Sequence, residues 1–169
     1  WNFESLRQES EDAWNNTLGK VIVNGGPEED KVKFYTALYH CYQLPRIVSD
    51  TDGSYPGFAE DTLIRRTDGF DYYDDFSMWD TYRALHPLMM ILEPERTRDM
   101  VRSLILKAEQ GGWMPIFPAW SNYTAAMIGD HVSTMISDSY LKGITDFDTE
   151  TAYKYMRKNA FETPEREEY

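Results

Sequence analysis

Segments with apolar residues at helical spacing dominate the chain, and they alternate with short turns and with long loops rich in aromatic residues. Six such segments follow one another, and Gly or Pro residues mark most of their ends. No close internal sequence repeat is present, but the alternation itself is repetitive. It is typical of helical hairpins arranged as a toroid whose long loops line one rim. The sequence therefore predicts an all-α fold, with too few helices to close the ring.

Identifiable residues mark where the predicted helices begin. Asn2 is a candidate N-cap of the first helix, and Pro27 and Pro94 stand at the first position of the second and fourth. The third helix is predicted to begin near Met78 and to be bent or interrupted at Pro87. The fifth and sixth run from about residues 130 and 148. The residues predicted to be buried are Val32, Tyr35, Leu38, Tyr39 and Tyr42 in the second helix, Met100, Val101, Leu104, Ile105 and Ala108 in the fourth, and Val132, Met135, Ile136 and Tyr140 or Leu141 in the fifth.

Two long loops, residues 45–76 and 113–129, separate the helices. The first contains turn residues and a short run at 63–66 that predicts a hairpin. An irregular connection of this length in a compact domain usually has a function. We therefore expect both loops and the start of the third helix to converge on one cavity.

Composition limits the kind of partner. The chain has 169 residues, of which 41% are hydrophobic and 15% aromatic, enough for one domain with a real core. Five Trp and twelve Tyr exceed the needs of packing, and aromatic faces commonly bind sugar rings or other flat apolar surfaces. The net charge of −12 argues against nucleic acid or an anionic membrane and favours a neutral or cationic partner.

The single cysteine, Cys41, excludes an intrachain disulfide framework and a cysteine-based zinc site, and it leaves the redox compartment open. No apolar run is long enough for a membrane span, and no signal peptide is found. The chain begins at Trp1 without an initiator Met and ends in a charged run. Both ends predict a piece of a longer protein.

The stretch 72–88 combines acidic, aromatic and cationic side chains at the start of the third helix. Ser77 followed by Asp80 is a capping-box pattern. One interpretation places Trp79, Asp80 and Arg83 beside the free N–H groups of the helix, where they bind the hydroxyls of a polar ligand. In the other, Asp80 caps the helix, Trp79 is core and Arg83 is a solvated partner of Asp80. Spacing alone favours the second interpretation.

Several sequence blocks together resemble a known family. They are Leu44-Pro45-Arg46, the run Phe76-Ser77-Met78-Trp79-Asp80-Thr81-Tyr82-Arg83-Ala84-Leu85-His86-Pro87-Leu88, Pro94-Glu95-Arg96, Gly111-Gly112-Trp113-Met114-Pro115, Met127-Ile128-Gly129-Asp130-His131 and Asp138-Ser139-Tyr140-Leu141-Lys142-Gly143. In order and spacing they resemble the glycoside hydrolase family 92 α-mannosidases over essentially the whole chain. The resemblance implies a calcium-dependent, exo-acting enzyme that removes terminal α-linked mannose with inversion, on a catalytic (α/α)6 barrel preceded by a β-sandwich.

The resemblance also implies that the catalytic residues of the family lie outside residues 1–169. Residues 1–169 resemble about the first half of the (α/α)6 catalytic domain, and the general acid, the general base and the Ca²⁺ ligands of the family are expected after Tyr169. No catalytic residue and no metal ligand is therefore assigned here, and this piece alone is expected to be inactive. The implied partners are a mannose-containing glycan, with an α-1,2 linkage favoured, and the remainder of the catalytic domain. The implied location is secreted, periplasmic or at the cell surface.

Only sugar-binding residues can be transferred from the resemblance. Asp80 matches the family aspartate of the W-D-T motif, which would bond hydroxyls of the terminal mannose with Trp79 beside it. Asp130 and His131 match the G-D-H block near the same cavity. The remaining candidates are Arg46 and Arg83, which are expected to orient these carboxylates, and Asp138, which is as compatible with a structural as with a functional role.

Metal and acid–base chemistry receive less support from the residues. The Asp50-Thr51-Asp52-Gly53 run resembles an EF-hand loop only superficially, because Val48 and Ala59 stand where ligands should be. The three His residues are too dispersed for a metal cluster. A general acid and a general base could in principle come from Asp71, Asp74, Asp75, Asp80 and Asp130. Solvated acids are the favoured interpretation, because acidic loops in such a charged chain are more often solvated.

Two alternative functions stay open on the sequence. One is a non-catalytic carbohydrate-binding or scaffold protein, and the other is a different carbohydrate-active enzyme on an α/α barrel. Whether the encoded chain continues into an acidic catalytic half, and which sugar is released, would distinguish them. A partial barrel is also expected to expose apolar stripes, and therefore to be poorly stable, to aggregate or to pair with a second copy.

Overall fold

The structure is a computed structural model that describes residues 1–164. It comprises two compact units, Trp1–Gln43 and a second unit that begins at Leu44, and each is described by itself.

The first unit is a helical hairpin of α1 (Phe3–Leu18) and α2 (Glu28–Cys41). The side chain of Asn2 accepts a hydrogen bond from the Ser5 amide at 3.4 Å, which confirms the predicted N-cap. The Tyr35 hydroxyl ties the connection between the helices to α2, because it donates to the Val21 carbonyl at 2.9 Å and accepts from the Val23 amide at 3.2 Å.

Two details of α2 differ from the prediction. Pro27 is the N-cap residue, and the helix begins one residue later, at Glu28. The backbone N–H of an N-cap residue is not needed by the helix, so a proline fits this position too. Of the predicted stripe, Leu38 and Tyr42 are buried, whereas Val32 and Tyr39 are exposed. A two-helix unit has one contact face only, so the predicted stripe is wider than the face that can be covered.

The second unit combines short strands with helices. Its elements are β1 (Arg46–Ile47), β2 (Ser54–Pro56), β3 (Ile64–Arg66), β4 (Tyr73–Asp74), α3 (Met78–Thr81), α4 (Leu85–Leu92), α5 (Pro94–Gly111), α6 (His131–Leu141) and α7 (Thr149–Phe161). The antiparallel pair β2–β3, with Ser54 opposite Arg66, confirms the predicted hairpin. A second antiparallel pair joins β1 to β4. The fold is thus mainly helical, as predicted, but the first long loop contains two small sheets, and of these only the β2–β3 hairpin was predicted.

Helix α5 is at the centre of the core. Its predicted inner residues Met100, Val101, Leu104, Ile105 and Ala108 are all buried, and they pack with α6 and with residues at the start of α3. Each large apolar side chain buried in this way stabilises the fold by about 1.5–3 kcal/mol. The core therefore fixes the start of α3 against α5.

The third predicted helix is broken at a different place. α3 ends at Thr81 and α4 begins at Leu85, so the interruption precedes Pro87. Pro87 lies in the first turn of α4, where its missing N–H costs nothing. The break leaves α3 as a single turn that belongs to the loop region.

The end of α6 is also different. Leu141 is 82% exposed and Tyr140 is exposed as well, although one of them was predicted to be buried. The buried stripe runs through Val132, Met135, Ile136 and Ser139, and Leu141 lies five residues after Ile136, on another side of the helix. The described residues do therefore expose apolar side chains on helices. None of the helices described is long and apolar enough to cross a membrane.

Candidate functional site

The two long loops meet at the start of α3. The Phe76 amide donates to the Pro118 carbonyl at 3.0 Å, and the Ala59 amide donates to the Ser121 carbonyl at 2.9 Å. The buried rings of Phe58 and Tyr123 contact each other from the same two loops, with centroids 4.8 Å apart. The predicted convergence of these segments is confirmed, whereas a single cavity between them stays a prediction.

An aromatic and cationic group, which we name the Trp79 cluster, joins α3 to the start of α6. It consists of Trp79, Tyr82, Arg83 and His131. The His131 imidazole stacks on the Tyr82 ring, with centroids 4.2 Å apart and planes within 7°. The ring centroids of Trp79 and His131 are 5.4 Å apart. Arg83 Cζ lies 5.4 Å from the centroid of the Trp79 ring and 5.2 Å from that of the Tyr82 ring. Three of the four residues were predicted as site residues, and the structure brings them together.

Gly129 permits the close approach of His131. Its φ of +88° is in the left-handed region, and a Cβ at this position would lie 2.7 Å from His131 Nε2. That nitrogen is buried and has no hydrogen-bond partner among the described residues. The G-D-H block thus places a glycine where a larger residue would push the imidazole off Tyr82.

Two exposed carboxylates flank the cluster. The Ser77 hydroxyl donates to Asp80 Oδ2 at 2.6 Å, and the Ser133 hydroxyl donates to Asp130 Oδ2 at 2.7 Å. The capping box predicted from Ser77 and Asp80 is not formed as expected, since the Ser77 side chain makes no capping bond to the backbone. Each carboxylate is oriented by one serine and keeps most of its acceptor capacity, because an ionised carboxylate accepts about four hydrogen bonds.

The predicted roles of the two arginines differ from what is found. Arg46 was expected to orient Asp80 or Asp130, but it forms an ion pair with Asp75. Arg83 was expected to do the same, but its guanidinium lies over the two rings of the cluster, and Nη2 donates to the Trp79 carbonyl at 3.4 Å. Ser77 and Ser133 take that role instead.

A buried ion pair lies beneath the two loops. Lys107 and Asp74 are both buried, with Lys107 Nζ 3.2 Å from Asp74 Oδ1. Lys107 also donates to the Tyr73 carbonyl at 2.9 Å and lies 3.8 Å from the centroid of the Tyr72 ring. Burial lowers the pKa of Lys107 to about 8, and the nearby Asp74 carboxylate opposes that shift. The prediction that the acids at 74 and 75 are solvated is therefore wrong: both are paired.

The carboxylates at 74 and 75 hold a tight turn in the second loop, residues 119–122, which we name the Trp120 turn. Trp120 and Ser121 have φ of +54° and +58°, and Ala119 pairs with Asn122 in an antiparallel bridge. Asp75 Oδ1 accepts from the Trp120 amide at 3.2 Å, and Asp74 Oδ2 accepts from the Ser121 amide at 2.7 Å. Each non-glycine residue in this conformation costs about 1–2 kcal/mol, which these bonds offset.

The sequence did not predict a role for Lys107 or Trp120, or the paired roles of Asp74 and Asp75. Lys107 could have been found, because it lies three residues after Leu104 and next to Ala108 on the buried face of α5. Its charged end predicts a buried acidic partner. No local signal identifies which acid that is, since the partner lies 33 residues away in another element.

The acidic turn at residues 50–53 and Asp138 have contacts of a structural kind. Among residues 1–164 there is no group of three or more His, Cys, Asp or Glu that could hold a metal ion. Asp52 accepts from the Ser54 amide and pairs with Arg66, as expected of a turn. These contacts hold the pKa of Asp52 at about 2. Asp138 forms an ion pair with Lys142, the C-cap residue of α6 four residues later, which agrees with a structural role.

Comparison with known proteins identifies close structural relatives. The chain is similar to the family GH92 alpha-mannosidase BT3965 from Bacteroides thetaiotaomicron, at 34% identity and a TM-score of 0.90, covering 98% of this chain and 22% of that chain. The structure of that enzyme in complex with mannoimidazole matches at 34% identity and a TM-score of 0.90, covering 97% and 21%. The inverting mannosidase BT2199 from Bacteroides thetaiotaomicron VPI-5482 matches at 27% identity and a TM-score of 0.89, covering 98% and 22%.

The chain thus spans 21–22% of the length of these three structures. No curated protein matches it. The family model described as "Glycosyl hydrolase family 92 catalytic domain" matches residues 1–169. Because that match includes every residue, the chain belongs to glycoside hydrolase family 92 and is part of its catalytic domain.

Proposed function

We propose that the protein to which this chain belongs is an exo-acting α-mannosidase that removes terminal α-linked mannose, with preference for the α-1,2 linkage, and inverts the anomeric configuration. Membership of the family supports a glycoside hydrolase. Two relatives are described as mannosidases, one of them as inverting, and one was solved with mannoimidazole. These descriptions support mannose as the sugar.

Within that enzyme, this chain supplies a surface that binds the terminal mannose. The observation that carries the proposal is the exposed Asp80 carboxylate, which is oriented by Ser77 and lies one residue after Trp79 in the Trp79 cluster. A carboxylate accepts hydrogen bonds from adjacent sugar hydroxyls, and an aromatic surface packs against the C–H groups of the ring. His131 belongs to the same cluster, and Asp130, its neighbour in the sequence, extends the polar surface.

The chemical step is assigned to other residues of the catalytic domain. An inverting hydrolase needs a carboxylic acid on the leaving oxygen and a carboxylate that activates water, about 6.5–9.5 Å apart. Two acids of the first loop are used for structure, since Asp74 pairs with Lys107 and Asp75 with Arg46. We therefore assign both catalytic carboxylates and the Ca²⁺ ligands to the remainder of the domain, and expect this chain alone to be inactive.

Mannose release from an α-1,2-mannobioside by the full-length protein tests the proposal. NMR of the released sugar, recorded before mutarotation, would show the β-anomer first, and chelation followed by addition of Ca²⁺ would abolish and restore the activity. Release of another sugar would indicate a different hydrolase. No release from a well-folded protein in either condition would indicate a binding or scaffold role.

A further inference from the structure

Trp120 combines a constrained backbone with a free side chain. Its indole is 80% exposed, although its amide, the next amide and the Ser121 carbonyl are all bonded to the first loop. The proposed mannose surface does not use it.

The turn that presents Trp120 is chemically unusual. A two-residue turn with positive φ at both central positions favours Asn-Gly, because those residues adopt the left-handed conformation at little cost. Here Trp and Ser occupy these positions, and two consecutive carboxylates stabilise them. Backbone strain that the surroundings maintain in this way is concentrated at ligand sites.

The position of the turn relates it to the proposed mannose surface. Asp75, which accepts from the Trp120 amide, lies one residue before Phe76, and Phe76 bonds to the Pro118 carbonyl just before the turn. Asp80 follows only five residues after Asp75. The Trp120 turn and the start of α3 therefore belong to one bonded loop region.

The polar groups beside Trp120 favour a sugar over a covering protein surface. Asp75 forms an ion pair with Arg46, whose side chain is 59% exposed. A protein surface laid over the indole would also desolvate this pair, which is costly. A sugar can stack its C–H face on the indole while its hydroxyls bond to the guanidinium and the carboxylate.

We propose that the Trp120 indole is a stacking surface for the sugar unit next to the terminal mannose, and that Asp74 and Asp75 are positioning residues that hold it in place. The proposal rests on the proposed function, because it concerns the second sugar of the same substrate. Trp120 would thus favour oligosaccharides over small mannosides.

The test compares two substrates in the full-length protein. One is whichever of the α-1,2-, α-1,3- and α-1,6-mannobiosides the wild type cleaves best, and the other is α-mannosyl fluoride, which has no second sugar. Trp120→Ala is expected to lower kcat/KM for the mannobioside about tenfold and to leave the fluoride within about twofold of wild type. Ile64→Ala, which removes another exposed apolar side chain from the same unit, should change neither.

A second pair of variants tests the positioning role. Asp75→Ala should reproduce the selective loss, because the Trp120 amide loses its acceptor, whereas Asp75→Asn should retain more activity on the mannobioside because the amide oxygen can still accept that bond. Equal losses on both substrates for Trp120→Ala, or no loss on either, would overturn the proposal. A well-folded wild type that cleaves neither substrate would overturn the proposed function as well, and so is distinguishable from failure of the Trp120 proposal alone.

Discussion

Replacing Lys107 by Met tests whether the buried ion pair organises the two loops. The change preserves the length of the side chain but removes the charge that pairs with Asp74 at 3.2 Å and the donor to the Tyr73 carbonyl at 2.9 Å. Asp74 would then be buried with only the Ser121 amide as its partner among these contacts. Removal of one partner from a buried pair typically costs about 3–5 kcal/mol, so a loss of that order is expected.

The pH dependence gives a second, independent signature. Lys107 has a pKa of about 8 in the folded state, below its ordinary value of 10.5. Between these values the unfolded chain binds more protons, so the free energy of unfolding rises with pH. For this group the rise between about pH 7 and pH 9 is about 1 kcal/mol. The difference in stability between wild type and Lys107→Met should therefore widen over that range.

Urea unfolding of the full-length protein, followed by tryptophan fluorescence at both pH values, measures these differences. Lys154→Met is the matched control, because Lys154 is exposed on α7, and its effect should stay within about 0.5 kcal/mol. A Lys107→Met variant as stable as wild type, or a stability difference that narrows toward pH 9, would refute the description of this pair as buried and desolvated.

Two further perturbations follow from the same structure. Burial lowers the pKa of His86 to about 4. As the pH falls, the imidazole is therefore protonated in the unfolded state before it is protonated in the folded state. Wild type should lose roughly 2–3 kcal/mol of stability from this group between about pH 7 and pH 4.5. His86→Leu should flatten that part of the profile, and an unchanged slope in urea unfolding would contradict it. Gly129→Ala should lower stability by about 1–2 kcal/mol and also reduce kcat/KM for a mannoside, because the new Cβ displaces His131. The control Gly143→Ala has the same kind of φ but open space around it, so it should lower stability without reducing kcat/KM.

Periodicity was sufficient to predict most of the helices and much of the core. The inner stripe of α5 and the buried residues Val132, Met135 and Ile136 of α6 follow from helical spacing, because packing against a single core requires it. The wrong assignments concern residues at the margin of a stripe, such as Leu141, and the position of a break, which precedes Pro87 instead of coinciding with it.

The site was predictable only in part. Trp79, Arg83 and His131 were named from motifs, and the structure brings them together with Tyr82. The Trp120 turn was not predictable, since nothing local indicates that Trp and Ser adopt positive φ. That conformation depends on carboxylates more than 40 residues earlier in the sequence, and such pairings carry no periodic signal.

The kinetics of Asp80→Ala in the full-length protein test whether this chain binds the terminal mannose through Asp80. If Asp80 binds the sugar, kcat/KM for the preferred mannobioside should fall at least about tenfold, equivalent to about 1.4 kcal/mol of transition-state binding. Glu109→Ala, which removes another exposed carboxylate, should leave it unchanged. Kinetics of Asp80→Ala that match wild type would contradict the claim and leave Asp80 as no more than a partner of Ser77.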